Sequence, residues 1–135
     1  MSSDDSGSAA VAVVGAIGVL LVLVVWLAAL AMAMQAHLEA TTAADAAALA
    51  AAPVTFLPFG AKGSPADEAA RFARLNGARL VWCRCPLDQS FETRMVEVRV
   101  TRSIDLPVLG VTQIEATGRA EFVPAALLEG LGIED

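Results

Sequence analysis

The pattern of hydrophobic and polar positions divides the chain into a long uncharged N-terminal segment and a shorter part with strand-like alternation. Residues 6–38 contain no charged side chain, and residues 11–26 are almost wholly Val, Leu, Ile, Ala and Gly. A helix of about 20 apolar residues crosses the ~30 Å hydrocarbon core of a bilayer. Because lipid offers no partner for backbone N–H and C=O groups, such a segment crosses as a helix. We therefore predict one membrane span at about residues 9–34, after a short polar leader at residues 1–7.

The helical pattern continues beyond the predicted span, through an alanine-rich segment at residues 35–52. Alanine is the strongest helix former, and no glycine or proline interrupts this segment before Pro53. A single helix over residues 8–52 would be about 65 Å long, with roughly half of it outside the lipid. Larger or polar side chains recur on it at helical spacing, at Leu38, Thr41 or Thr42, Asp45 and Leu49.

The small side chains of this long helix favour close packing against other helices. A compositional preference for alanine would give the same pattern without any partner, and both interpretations stay open. An anchor alone needs neither the emergent segment nor its nearly smooth surface. The predicted packing positions are two glycines in the span and five alanines beyond it: Gly15, Gly18, Ala36, Ala40, Ala43, Ala47 and Ala50.

The remaining sequence predicts a small α+β domain at residues 65–124, joined to the long helix by a loop at residues 53–64. Ser64 and Pro65, followed by two acidic residues, are typical of a helix start. The Asn-Gly pair at residues 76–77 is typical of a helix end. We therefore predict a short helix within this domain that ends at about Leu75.

Three segments in the same part alternate apolar and polar residues with the period of a β-strand: residues 79–85, 93–102 and 112–122. One-sided alternation is typical of an antiparallel sheet with one solvated face. We expect a three-stranded antiparallel sheet covered by the short helix and by the emergent part of the long helix. Gly118 would mark a bulge or a close backbone approach. Residues 125–135 predict an acidic tail, and residues 106–110 an apolar connection that touches the membrane surface or the helix.

Charge excludes some partners and leaves the membrane orientation open. The net charge of −6 argues against nucleic acid and against a basic patch for anionic lipid. All nine Lys and Arg residues lie at Lys62 or beyond, so neither flank of the span carries the basic residues that set topology. An acidic N-terminus and a long apolar core also argue against a cleaved secretory signal.

Residue types that perform chemistry are sparse. The single histidine, His37, has no catalytic partners at suitable spacing, and no metal-ligand spacing or phosphate-binding glycine loop occurs. Cys83 and Cys85 are too close along the chain for an unstrained disulfide between them. We interpret them as small half-buried hydrophobes on a strand, with a redox or intermolecular disulfide role as the alternative. We predict no enzyme activity, no cofactor, no metal and no small-molecule substrate.

The order of elements resembles a known family. A short leader runs into Gly7-Ser8-Ala9-Ala10, followed by the hydrophobic helix, a polar step near His37, and the alanine-rich residues 43–52. Over residues 6–52 this is similar to TadE-like (TadE/TadG-type) minor pilins or pseudopilins of the actinobacterial tight-adherence (Flp, type IVb) pilus locus. A weaker similarity is the short helix that passes through an Asn-Gly turn into a Cys-bearing strand.

The resemblance implies a type IV pilin-like plan, with the N-terminus in the cytoplasm and the α+β domain outside the cell membrane. A prepilin peptidase would cut after Gly7 and leave Ser8 as the new N-terminus. The helix would pack, within the lipid bilayer and beyond it, against other pilin or Tad-system subunits. Pilins of this type usually carry glutamate at the fifth position after the cut, which here is Ala12. We therefore expect a minor, initiating or membrane-resident role rather than that of a bulk filament subunit.

Two other hypotheses remain. One is a single-pass, membrane-anchored extracytoplasmic binding module that is neither processed nor polymerised and uses its sheet face as a partner surface. The other places the C-terminal domain in the cytoplasm, as part of an inner-membrane complex.

Overall fold

A computed structural model describes residues 4–59 and 63–130 of the protein. It contains a long apolar helix, a short helix and an antiparallel sheet, so the predicted α+β layout is confirmed. Residues 131–135 of the predicted tail and residues 1–3 of the predicted leader lie outside the described part. The elements in chain order are α1 (Asp4–Val54), a 3-10 turn (Leu57–Phe59), α2 (Pro65–Leu75), β1 (Arg79–Arg84), β2 (Arg94–Leu106), β3 (Gly110–Phe122) and α3 (Ala126–Gly130).

Helix α1 is one uninterrupted helix of 51 residues, about 75 Å long. It begins at Asp4, inside the segment predicted as a leader. It ends one residue after Pro53, which has no N–H to continue the bonding. Thr55 caps the C-terminal end of α1. Its backbone N–H and its hydroxyl both donate to the Ala52 carbonyl, at 3.2 and 2.6 Å.

The sheet has three antiparallel strands in the order β1-β2-β3. Strands β2 and β3 pair over their whole length, from Arg94 with Phe122 to Leu106 with Gly110. Strand β1 pairs only with residues 97–101 of β2, so the far half of the β2–β3 hairpin projects beyond it. The predicted second strand ends at residue 102 and the predicted third strand begins at residue 112. Both predicted strands are therefore too short at the end where the hairpin turns. Once two strands are in register, their backbone bonds continue through positions where the apolar alternation fades.

The core of the domain lies between the sheet and the emergent half of α1, with α2 alongside. The predicted inward face of β2 is confirmed, since Val96, Val98 and Val100 are fully buried. On β3, Ala116, Gly118 and Ala120 face the same core. The members of the core from α1 are all alanines: Ala40, Ala43, Ala44, Ala47, Ala48, Ala51 and Ala52.

Gly118 is the point where α1 and the sheet come closest. A Cβ placed on Gly118 would lie 2.3 Å from the carbonyl carbon of Ala44 and 2.4 Å from its oxygen. The register at this point is regular, with Val98 opposite Gly118. Of the two alternatives for this glycine, the close backbone approach is therefore the one that the structure contains.

Helix α2 has the bounds that its capping residues predicted. The Ser64 hydroxyl accepts from the Asp67 N–H at 3.1 Å, and the Asp67 carboxylate accepts from the Ser64 N–H at 3.3 Å. The Ser64 hydroxyl, and next its backbone N–H, hold the pKa of Asp67 below its usual value. At the other end, Asn76 stops the helix and Gly77 takes a positive φ of 71°. This reciprocal capping fixes where α2 starts and so how it lies on α1.

We expect Gly118→Ala to destabilise the domain by about 3 kcal/mol, because the new methyl group overlaps backbone atoms of α1 that cannot rotate away. Urea unfolding of the full chain in detergent, followed by circular dichroism, measures this loss. Thr117→Ala is the matched control, since Thr117 is exposed on the opposite face of β3, and it should change stability by less than about 0.5 kcal/mol. Equal stability of the two variants would contradict the contact.

Candidate functional site on the two halves of the long helix

The N-terminal half of α1 exposes apolar side chains on all sides. Its most apolar window has a mean hydropathy of 2.9, and none of that window is buried by the rest of the protein. Large side chains such as Val14, Leu21 and Val24 are each more than 60% exposed. By length and composition this half of α1 is able to cross a membrane, which agrees with the predicted span.

The two glycines predicted for packing lie in this exposed half. A Cβ at either Gly15 or Gly18 would meet nothing within 4 Å. Together with Val19, Val22 and Leu23 they line a shallow apolar groove on the helix surface, called here the glycine groove. The groove is open, and its small residues leave room for a close neighbour.

The alanines predicted for packing have a neighbour within the chain itself. Ala40, Ala43 and Ala47 are fully buried, Ala36 is buried, and Ala50 is half-buried. They lie under the sheet and α2, where only small side chains fit between α1 and Gly118. The predicted contact of these alanines with partner subunits is therefore replaced, in this structure, by a contact with the protein's own domain.

The opposite side of the emergent half carries an exposed row of residues. Leu38 and Leu49 are 66% and 64% exposed, and Thr42 and Asp45 lie between them, also exposed. The Thr42 hydroxyl donates to the Leu38 carbonyl at 2.9 Å, so its methyl group adds to the apolar surface. These four residues, called here the outer stripe, follow the i, i+4, i+7, i+11 spacing of one helix face. The sequence showed their spacing, but not that they point away from the domain.

A polar cluster marks the level on α1 where the domain begins. Arg102 of β2 forms a salt bridge with Glu39 of α1, at 2.7 Å between Nη2 and Oε2. Arg102 also donates to the carbonyl of Asn76 at 3.3 Å, and Gln35 donates to Glu39 at 3.0 Å. The cluster fixes the sheet against α1 and places charge just beyond the uncharged run.

Arg94 is buried at the other end of the domain and has a structural role. Its guanidinium donates to the carbonyls of Thr55 and Asp88 at 3.2 and 2.9 Å, and also to that of Ser90. The Thr55 carbonyl follows the last turn of α1, where a positive charge is favourable. Arg94 therefore ties the end of α1 to the β1–β2 connection. Its neighbours are carbonyls rather than reactive groups, and the strand pattern gave no indication of this role.

Cys83 and Cys85 are joined by a disulfide bond. Both are half-buried against the core, as predicted, but the interpretation of two unpaired hydrophobes is wrong. Cys85 lies just past the last residue of β1, so strand geometry does not hold the two side chains at full strand spacing. Their Cα atoms are 5.5 Å apart, within the range that disulfides span.

The predicted processing position lies near the start of α1. Gly7 and Ser8 are both exposed and helical, as is Ala12. His37 is exposed on the emergent half. Within residues 4–59 and 63–130, no three His, Cys, Asp or Glu side chains are grouped to hold a metal ion.

Comparison of the chain with models of protein families, with curated proteins and with solved structures found no match.

We expect the Cys83–Cys85 pair to resist alkylation in the native protein. Iodoacetamide should add no label before reduction and two labels after it, because only a thiolate reacts. Intact-mass spectrometry measures both states, and the unreduced chain should be lighter by two hydrogen atoms. The Cys85→Ser variant is the control and should take one label without reductant. Two labels on the unreduced native chain would contradict the bond.

Proposed function

We propose that the protein is a non-enzymatic assembly component of a tight-adherence (type IVb) pilus or a related secretion apparatus. It acts as a TadE-like minor pilin or pseudopilin whose long helix packs against helices of partner subunits. The observation that carries the proposal is α1 itself, a single helix of 51 residues. One half is exposed and apolar all round, while the other half has one side under the domain and one side free.

The positions of the free surfaces favour assembly in series. At 3.6 residues per turn, the glycine groove lies on roughly the opposite side of α1 from the outer stripe. A protein with two different contact surfaces on opposite sides forms head-to-tail contacts, which generate rings or open filaments. Alanines buried under the domain take no part in these contacts. The partner surfaces in this proposal are therefore the outer stripe and the glycine groove.

In this proposal the protein crosses the cell membrane once and its α+β domain is extracytoplasmic. The disulfide between Cys83 and Cys85 supports that placement, because disulfides persist in oxidising compartments and are rare in the cytosol. Charge gives no contrary indication, since no Lys or Arg lies within about 15–20 residues of the predicted span, the distance over which basic residues set orientation.

A second candidate is a membrane-anchored binding module that uses the open face of the sheet. That face carries Trp82, half-exposed, with the Arg99 guanidinium 5.3 Å from its ring centre. Glu97 between Arg84 and Arg119 completes a charged surface beside it. A module of this kind would keep its partner when the helix surfaces are altered, and the first candidate would not.

We expect the double variant Leu38→Gln, Leu49→Gln to lose partner association while the domain stays folded. Each leucine contributes about 1.5 kcal/mol when buried at an interface, so losing both weakens association by about a hundredfold. Photo-crosslinking in cells from position 42, within the outer stripe, measures the association. Urea unfolding of the purified chain checks that the domain is intact.

The matched control is Val81→Gln with Leu87→Gln, which replaces two exposed large hydrophobes outside α1. It should leave crosslinking unchanged. If the outer-stripe variant crosslinks as strongly as this control, helix packing through the stripe is ruled out. Crosslinking that occurs only from position 117 on the open sheet face, and that a Trp82→Ala variant abolishes, would favour the binding module.

We expect the mature protein to begin at Ser8 if a prepilin peptidase processes it, as the resemblance implies. Mass spectrometry of the protein purified from its own membranes measures the N-terminus. Gly7→Leu should block the cut, whereas Gly15→Leu, which changes another exposed glycine of α1, should not. A native chain that starts at Met1 or Ser2 would overturn processing and leave the packing proposal to the crosslinking result.

A further inference from the structure

The turn of the β2–β3 hairpin carries an exposed apolar cluster. Val108, Leu109 and Val111 are 91%, 64% and 74% exposed, and Pro107 is exposed beside them. These four residues, called here the hairpin tip, contain no polar side chain. Isolated surface hydrophobes need no explanation, but four together at the end of a projecting hairpin indicate a contact with another apolar phase.

The hairpin tip lies beside the uncharged half of α1. Leu109 and its neighbours line two shallow cavities whose other wall is α1 from Leu23 to Ala33, with Trp26 and Ala29 shared by both cavities. The tip is thus at the level of Trp26, about nine residues or ~13 Å below Gln35, where polar residues begin. The domain does not stand clear of the apolar helix but reaches down along it.

Bilayer thickness places this level at a membrane surface. From Ser8 to Trp26 the helix rises about 27 Å, close to the ~30 Å of a hydrocarbon core. With Ser8 at the water boundary on one side, Trp26 reaches the boundary on the other side. Trp26 is 68% exposed, and tryptophan is enriched at such boundaries. The hairpin tip beside it is therefore level with the lipid head groups.

The backbone at the hairpin tip is strained at an apolar residue. Val108 has a φ of 73°, in the left-handed region that β-branched residues rarely adopt. Glycine or asparagine would fit this turn position with less strain. A strained β-branched residue that is almost fully exposed contributes nothing to the domain's core, which favours a role outside the domain.

We propose that the hairpin tip inserts into the lipid head-group region beside Trp26, as a second membrane contact that sets the height of the domain. Insertion is shallow, because Asp105 pairs with Val111 across the hairpin and its carboxylate stays in water. Val108 is three residue positions beyond Asp105, which limits the depth to about 10 Å. At that depth water still reaches the unpaired backbone groups of the turn. The inference goes beyond partner packing, but it rests on the proposed membrane span of α1.

Tryptophan fluorescence of the full chain in vesicles tests the inference. The protein has two tryptophans and no tyrosine, so single-tryptophan variants report without background. Trp82→Phe leaves Trp26 as the reference for the span. Val108→Trp and, as matched control on the following strand β3, Thr117→Trp are each made with both native tryptophans changed to Phe. The probe is vesicles of equal phosphatidylethanolamine and phosphatidylglycerol with bromine on the acyl chains, at a low protein-to-lipid ratio.

We expect the brominated lipid to quench Val108→Trp about as strongly as Trp26, and several-fold more strongly than Thr117→Trp. Quenching of Trp26 alone, with Val108→Trp no more quenched than Thr117→Trp, overturns the inference and leaves the span intact. Quenching of none of the three proteins overturns the proposed span itself. Shielding of Val108→Trp from aqueous iodide without quenching by brominated lipid would mean that protein covers the tip, which also overturns it. Leu109→Trp serves as the second variant and decides the question if Val108→Trp does not fold.

Discussion

The direct contact between the α1 backbone and strand β3 constrains the rest of the domain. Gly118 lies against the carbonyl of Ala44 with no room for even one methyl group. At that separation every residue of α1 that faces the sheet has to be small, and those residues are alanines. The larger side chains of the core come instead from the sheet, where Val96 and Val98 are fully buried. The smooth helix is thus the complement of the domain's own sheet.

This constraint explains which features of the fold could be predicted from sequence. Both ends of helix α2 could be predicted because Ser64 is a local start signal and the Asn-Gly pair at residues 76–77 is a local stop signal. The inward faces of β2 and β3 could be predicted because apolar or small residues alternate with polar or charged ones along both strands. In α1, alanine occurs on the face buried under the domain and also on parts of the exposed face. The sequence therefore shows no difference in residue type between the two faces. The orientation of α1 became visible only with the domain in place.

The misjudged features have equally local causes. The predicted hairpin is too short because the first residues of β3, Gly110 to Gln113, are all exposed and do not alternate by burial. The prediction that Cys83 and Cys85 are not bonded to each other assumes ideal strand spacing, whereas Cys85 lies beyond the end of β1. Arg94 could not be placed, because its acceptors are backbone carbonyls from two separate connections. The last two errors come from contacts made outside the strand on which the prediction was based.

The structure also accounts for the length of the uncharged run. Residues 6–38 would form about 50 Å of helix, well beyond the ~30 Å that a bilayer core requires. The excess lies above Trp26, on the segment that the hairpin flanks on one side before the Glu39–Arg102 salt bridge begins. In the proposed arrangement the domain and its own helix meet the membrane at one level. A partner helix of the proposed assembly would then approach α1 above that level from the side that the domain leaves free, where the outer stripe lies.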